Sequence, residues 1–248
     1  MLGIIGGTGL TQLENLKITR RQLIRTPYGE PSGPLAFGDI CGHPVIFMPR
    51  HGNGHTIPPH AVNYRANIWA LYSEGVRDIV AVATVGGIRE DLHPGVVTLP
   101  NQIIDYTNGR KNTYYDGKDQ LVKHIDFTEP YCPRLRALCK TAAEKAGESL
   151  IQDGVYACVQ GPRLETAAEI NRLERDGATM VGMTGMPEAV LARELEMSYA
   201  AICPVVNHAA GRGNSVNGIR YEEIDKILDA TMQRVRNLIE QVVILHAD

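Results

Sequence analysis

Eight successive residues, Asp78-Ile79-Val80-Ala81-Val82-Ala83-Thr84-Val85, are almost all β-branched or small, and Gly86-Gly87 ends the run. A stretch this apolar shows no polar alternation, so neither of its faces is meant for water. It reads as a central strand covered on both sides, the kind that parallel sheets contain. Such a strand needs helices above and below it, and that commits the chain to an α/β fold.

The flanking pattern agrees. Leu2 to Ile5 and Val45 to Met48 read as buried strands, the first breaking at glycines and the second ending at Arg50. Val96 to Leu99, Ile103-Ile104, Gly154 to Val159 and Met180-Val181 read as shorter strands, and Tyr199 to Val206 as a further buried one. Asn15 to Ile24 looks extended. Helical spacing covers Asn63–Glu74, Arg134–Ala146, Glu165–Arg175, Glu188–Leu195 and about Tyr221–Leu245, with Pro187 suited to a first helical position. The expected architecture is one α/β domain over residues 1–248, with a mixed, largely parallel central sheet flanked by helices.

Composition narrows the function. The formal net charge is −3 and no block of like charge appears, which argues against a nucleic-acid or membrane-surface role. No apolar stretch reaches membrane-spanning length, and the N-terminus lacks the basic region of a signal peptide. The five cysteines are scattered without zinc or C-x-x-C spacing. A cytoplasmic chain with reduced thiols is expected, with no metal.

Polar residues collect where strands end. Gly6-Gly7-Thr8-Gly9 follows the first strand and offers backbone N–H groups and a hydroxyl. It reads as an anion-binding turn or as a structural one. A dinucleotide turn fits poorly, because Gln12 stands where a third glycine is needed and no helix pattern follows. Pro49-Arg50-His51-Gly52 adds a planar cation that can hold phosphate bidentately, and a histidine that can donate to it or orient an attacking oxygen. A solvated basic loop is the alternative. Thr84-Val85-Gly86-Gly87 is a further close-approach turn. Glu165 and Glu188 read either as functional acids or as helix-start carboxylates, and Met183 either as a site residue or as core packing. Asn207 closes an apolar strand as a turn residue or as a side-chain amide for a ligand.

In order, these motifs resemble the purine nucleoside phosphorylase/methylthioadenosine phosphorylase family from Gly3 almost to the C-terminus. Further matching stretches are His55-Thr56-Ile57-Pro58-Pro59, Val62 to Ala70, Gly86 to Glu90, Tyr115-Asp116-Gly117, Glu129 to Pro133, Gly161-Pro162-Arg163 and Met183 to Glu188. The stretch around Asn63 to Ala70 is similar to the methylthioadenosine branch. The resemblance implies a homotrimer that acts on a purine nucleoside, with inorganic phosphate as co-substrate and no cofactor. It implies that Thr8, Arg50, His51, Thr84 and Thr184 hold phosphate, that Met183 lies against the ribose, and that His124 reaches the sugar from a neighbouring subunit. Leu164 stands where the family usually has a phenylalanine beside the base.

The departure at the base is informative. The adenine-specific branch carries two aspartates where this chain has Asn207 and Ala209. The 6-oxopurine phosphorylases pair an asparagine there with a glutamate, matching Asn207 and Glu165. An ionised Glu165 accepts from N1–H of a 6-oxopurine, whereas it would face a lone pair on adenine N1. At the sugar's 5′ end, Asn217 to Tyr221 contains no histidine for a hydroxyl, and Ile219 and Tyr221 suit an apolar methylthio group. The expected reaction is phosphorolysis of S-methyl-5′-thioinosine, with Asn207, Glu165 and His51 catalytic. Methylthioadenosine phosphorylase and a general inosine/guanosine phosphorylase are the alternatives within the class.

Overall fold

The computed structural model describes residues 1–10, 13–117 and 121–247. Gln12, used above against a dinucleotide turn, lies outside them. The elements are β1 (Leu2–Gly6), β2 (Lys17–Gln22), β3 (Leu35–Ile40), β4 (His43–Pro49), α1 (Tyr64–Ser73), β5 (Asp78–Val82), β6 (Val85–Gly87), β7 (Val97–Leu99) and β8 (Gln102–Asp105). They continue with α2 (Pro133–Lys145), β9 (Leu150–Gln152), β10 (Val155–Cys158), α3 (Ala167–Arg175), β11 (Met180–Gly182), α4 (Gly185–Glu194), β12 (Ser198–His208) and α5 (Tyr221–Ala247).

The strands form one mixed sheet in the order β2-β3-β4-β1-β5-β12-β6-β11-β10-β8, with β7 branching from β12 to β9. Its centre is parallel: β1 pairs with β4 and β5, and β12 with β5 and β6. Side chains of the central strands alternate between two apolar layers, as strand geometry demands. In β5, Ile79 and Ala81 join the layer containing Ile68 and Leu71 of α1 and Leu191 of α4. Val80 and Val82 join the opposite layer with Leu135 of α2 and Val235, Leu238 and Val242 of α5. Each such isoleucine or valine, fully buried, contributes roughly 1.5–3 kcal/mol. The edge strand β2 (Lys-Ile-Thr-Arg-Arg-Gln) is exposed along its whole length, and its charges discourage further strand pairing.

Two expectations need correction. The apolar run from Asp78 does not stay one strand to Val85. β5 ends at Val82, the Ala83 N–H still donates to the Ile202 carbonyl of β12 at 3.1 Å, and Val85 to Gly87 form β6. The long strand β12 runs beside both pieces, its first half pairing with β5 and its second half with β6, and Val205 still faces Val85 in the register that Ile202 keeps with Val82. The helix expected from Glu165 starts at Ala167. Thr166 caps it: the Thr166 hydroxyl accepts from the Glu169 N–H (3.1 Å) while the Glu169 carboxylate accepts from the Thr166 N–H (2.8 Å). Glu165 therefore precedes the cap and is not a first-turn acid. Strands β3 and β9 were not anticipated.

Candidate functional site

The carboxyl ends of β1, β4, β5, β11 and β12 open into one cavity of about 680 Å³, at the edge of the sheet where α/β proteins hold ligands. Thr8, Arg50, His51, Thr84, Leu164, Glu165, Met183, Thr184, Asn207 and Tyr221 all line it. Two expected residues do not. Ile219 lies in the turn before α5 and is outside the lining, because α5 begins only at Tyr221. The apolar wall on that side comes from Ile224 and Leu228, one and two helical turns further on. His124 is exposed and is not among the residues that line the cavity of its own chain.

The turn at Thr8 is built on close approaches. Leu10 N–H donates to the Gly7 carbonyl at 3.0 Å, and Gly9 has φ +78°, a value that favours glycine. A Cβ on Gly7 would lie 2.6 Å from the Val82 carbonyl oxygen and 2.8 Å from Arg50 Nη1. The glycine is there to let the β1 turn sit directly on the arginine.

Arg50 is 1% exposed and cannot act as a free cationic fork. Its Nε and Nη2 donate to the two carboxylate oxygens of Glu188 at 2.6 and 2.7 Å, and its Nη1 donates to the Val82 carbonyl at 2.9 Å. Of the five guanidinium N–H groups, these bonds leave two for a ligand. Burial works against the charge, but the field and hydrogen bonds of Glu188 overcome it and hold the Arg50 pKa above its ordinary value. Glu188 is fully buried in α4 and also accepts from the Tyr199 hydroxyl at 2.7 Å. It stands in the first turn of α4, as a helix-start acid would, and serves there as a buried counter-ion.

His51 is fixed by its own loop. Its backbone carbonyl accepts from the N–H groups of Thr56 and Ile57, both at 3.1 Å, and its Nδ1 lies 2.8 Å from the Ile57 carbonyl. Burial, reinforced by the neighbouring Arg50 charge, lowers its pKa to about 4. The ring is neutral at pH 7. Because a carbonyl only accepts, Nδ1 carries the proton and Nε2 is a bare acceptor. Of the two roles expected of His51, this tautomer suits orienting an attacking oxygen better than donating to phosphate. The His55 ring packs against it with centroids 4.6 Å apart.

Asn207 owes its position to an irregularity. The β12–β6 register shifts between Val205 and Asn207, and as a result both Val206 and Asn207 face the cavity. Asn207 Nδ2 donates to the His208 carbonyl at 2.7 Å, which leaves Oδ1 and the second amide hydrogen for a ligand. Ala209, two residues on, is a buried small side chain. Glu165 faces the cavity from the turn before α3. Burial raises its pKa above the usual carboxylate value, with Glu169 adding to the rise. Arg163 pairs with Glu169 at 2.7 and 2.9 Å and so pins this segment.

The remaining wall is made by Met183 and Thr184. A Cβ on Gly161 would lie 2.5 Å from the Met183 sulfur, so the two loops are in contact. The Thr184 side chain, 7% exposed, makes no capping bond to α4. Arg110, which no pattern in the sequence singled out, clamps these loops together. Its guanidinium donates to the carbonyls of Met183 (2.8 Å), Met186 (2.6 Å) and Gln160 (2.9 Å). The stretch around Asn63 has a structural role: Asn63 caps α1 through Ala66 N–H and donates to the Tyr28 carbonyl, and Asn67 exchanges bonds with Ser32. Asp225 also lines the cavity, on the α5 side. Among the described residues, no group of three or more His, Cys, Asp or Glu gathers as a metal site, and no helix is long and apolar enough to cross a membrane.

A family model described as the phosphorylase superfamily matches residues 1–244. A protein of Pseudomonas syringae pv. tomato named "Probable S-methyl-5'-thioinosine phosphorylase" is 50% identical over 240 residues, covering 97% of each chain. A "6-oxopurine nucleoside phosphorylase" of Pyrococcus furiosus is 43% identical over 245 residues, covering 96% of this chain and 90% of that protein. Among solved structures, methylthioadenosine phosphorylase from Schistosoma mansoni in complex with adenine superposes with a TM-score of 0.93 at 32% identity. That match covers 99% of this chain and 91% of the other.

Proposed function

Because the chain belongs to the phosphorylase superfamily, we propose that it catalyses phosphorolysis of S-methyl-5′-thioinosine, yielding hypoxanthine and 5-methylthioribose 1-phosphate. It is an enzyme of the purine nucleoside phosphorylase type. Relatives carrying the methylthioinosine name at 46–50% identity support the substrate. The observation that carries the base preference is the pairing of Asn207 with Glu165 across one cavity, beside an alanine at 209.

In this reading the glycosidic bond lengthens towards an oxocarbenium-like sugar. Phosphate waits on the opposite face, against Thr8, Arg50, His51, Thr184 and the backbone at Thr84, and captures C1′. Negative charge grows on the departing hypoxanthine. The departing base takes a proton from water at N7, Asn207 Oδ1 accepts a hydrogen bond from the resulting N7–H, and Glu165 accepts from N1–H. Adenine has no N1–H, so with it the Glu165 carboxylate is left facing a lone pair. A site built on such hydrogen bonds rejects the wrong partner by roughly 10⁴-fold. Met183 lies along the ribose and Leu164 beside the base. Catalysis is by positioning and electrostatics, with roughly 2–4 kcal/mol from each well-aimed donor, and it needs no cofactor or metal.

The same reading makes the enzyme a cytoplasmic homotrimer in which His124 serves a neighbour's site. Leu121 and Val122, apolar and exposed beside His124, suit a subunit contact. A second reading, inosine phosphorolysis, is favoured by Asp225, whose carboxylate offers an acceptor for a 5′-hydroxyl on the α5 side of the cavity. The deciding experiment compares kcat/KM for methylthioinosine, methylthioadenosine and inosine at saturating phosphate. Methylthioinosine should exceed the others by at least tenfold. Methylthioadenosine at parity overturns the base assignment, and inosine at parity overturns the 5′ assignment.

A further inference from the structure

The loop after β8 sends one side chain across the ends of two neighbouring strands. β8 pairs with β10 and β10 with β11, and the β10–β11 ladder ends at Cys158 against Gly182, with one further bond from the Val159 N–H to the Gly182 carbonyl at 2.9 Å. Beyond that rung the two segments part. One continues through Gln160 and Pro162 to Glu165, the other through Met183 to Thr184, and both reach the cavity. Arg110 spans the gap between them. Its Nη1 donates to the carbonyls of Met183 (2.8 Å) and Met186 (2.6 Å) and to the Tyr64 hydroxyl (3.3 Å). Its Nη2 donates to the carbonyls of Gln160 (2.9 Å) and Val159 (3.3 Å), and its Nε to Gln160 Oε1 (3.2 Å). We propose that Arg110 is a positioning residue for the reaction: by tying the Met183 wall to the turn that carries Glu165, it sets where the base acceptor stands relative to the sugar, and hence the preference for a 6-oxopurine. This rests on the reading of Glu165 above and deepens it.

Arg110 does not line the cavity, and its donors are all engaged. The five N–H groups of a guanidinium meet four carbonyls, a side-chain amide and a hydroxyl, and none of these is a carboxylate. The cation therefore makes charge-assisted bonds to carbonyls at and beyond the end of the ladder rather than an ion pair. No neutral side chain offers that many donors in one plane, and a lysine ammonium lacks the fixed fork. Gln160 completes the clamp: its Oε1 also accepts from the Asn108 N–H at 3.1 Å, so the loop after β8 is held to the loop after β10 through side chain and backbone together. A second contact between the walls is at Gly161, where a Cβ would lie 2.5 Å from the Met183 sulfur. That contact limits how close the two walls come, and Arg110 limits how far apart they go. A nucleoside lies with its sugar on one wall and its base on the other, and a displacement of about 1 Å in such a site costs about 10²-fold in rate. The displacement falls on the N1–H bond to Glu165, which methylthioinosine makes and methylthioadenosine does not.

The test compares methylthioinosine with methylthioadenosine in Arg110→Lys at saturating phosphate, with the folded fraction read by urea unfolding. kcat/KM for methylthioinosine should fall by about 100-fold and that for methylthioadenosine by less than about tenfold, so that the ratio between them shrinks at least about tenfold. A loss of folded protein alone scales both substrates alike. Arg234→Met supplies that control. Arg234 holds the Glu148 carboxylate and the Gly95 carbonyl, both at 2.7 Å, and none of the three lines the cavity. Its removal should lower stability and leave the substrate ratio within about twofold of wild type, as distant sites do. An unmoved ratio in folded Arg110→Lys overturns the proposal, and so does an equal shift in Arg234→Met. If Arg110→Lys does not fold, Gln160→Ala decides: loss of Oε1 should shrink the ratio by about threefold, the scale of one neutral hydrogen bond, and an unmoved ratio again overturns the proposal. Parity of the two substrates in the unmodified enzyme refutes the reading of Glu165 and Asn207 itself, and this inference with it; a selective enzyme whose ratio ignores Arg110 refutes this inference alone.

Discussion

Glu188 holds Arg50 in the wall of the cavity. Glu188→Ala would leave a guanidinium that is 1% exposed with one protein acceptor, the Val82 carbonyl, in place of three contacts. It would also remove the acceptor of the Tyr199 hydroxyl. Removing one partner of a buried ion pair destabilises by about 3–5 kcal/mol. In a chain of this size each kcal/mol moves the unfolding midpoint by about 2–4 °C, so the variant should melt roughly 6–20 °C lower. Glu188→Gln keeps the shape but turns one acceptor into a donor facing other donors, and roughly 1.5–3 kcal/mol should be lost. Both variants should raise the phosphate KM, because Arg50 is no longer held. The control is the double variant Arg50→Met/Glu188→Leu. It removes both charges and should recover most of the lost stability, since well-packed apolar residues can replace a buried pair, yet phosphate use should fall further, because the cation itself is gone. Scanning calorimetry and urea unfolding measure the first quantity, and initial rates against phosphate the second. The reasoning fails if Glu188→Ala lies within about 1 kcal/mol of wild type, or if the double variant is no more stable than the single.

Three other outcomes follow from the same geometry. Asn207→Asp should raise the methylthioadenosine to methylthioinosine ratio of kcat/KM by about tenfold, even if both rates fall through loss of the bond to the His208 carbonyl; an unmoved ratio removes Asn207 from base recognition. Glu165, with its pKa raised by burial, should protonate at a higher pH than an exposed glutamate. Since the ionised form accepts from N1–H, kcat/KM for methylthioinosine should fall on the acid side earlier than an ordinary carboxylate would dictate, and Glu165→Gln should erase that limb of the profile. Gly7→Ala would place a methyl 2.6 Å from the Val82 carbonyl and 2.8 Å from Arg50 Nη1, at a cost of about 1–3 kcal/mol and with a raised phosphate KM; wild-type stability and kinetics would show that the approach is not tight.

Much of this protein was legible before any coordinates. The unbroken apolar run from Ile79 to Val82 announces a strand covered on both faces because burial leaves no position for a polar side chain. The glycine turn at Thr8 and the amide at Asn207 could be marked because both follow apolar strands, and in parallel sheets strand ends converge on one edge. What a linear reading misses is pairing across the chain. Glu188 is the helix-start acid its position suggests, but its pairing with Arg50 could not be read locally because the partner is 138 residues away. Arg110 gave no local signal, since it acts entirely through carbonyls of other loops. The register shift before Asn207 lies in the pairing of β12 with β6, which no local pattern announces. The sequence by itself determined the element order, the chemical groups available at the strand ends and the absence of carboxylates at 207 and 209. Only the tertiary structure decided which of those groups are already spent on each other, and which nitrogen of His51 is left to meet a ligand. The reason is physical: apolar periodicity is a local property, whereas a hydrogen bond's direction depends on the partner the fold supplies.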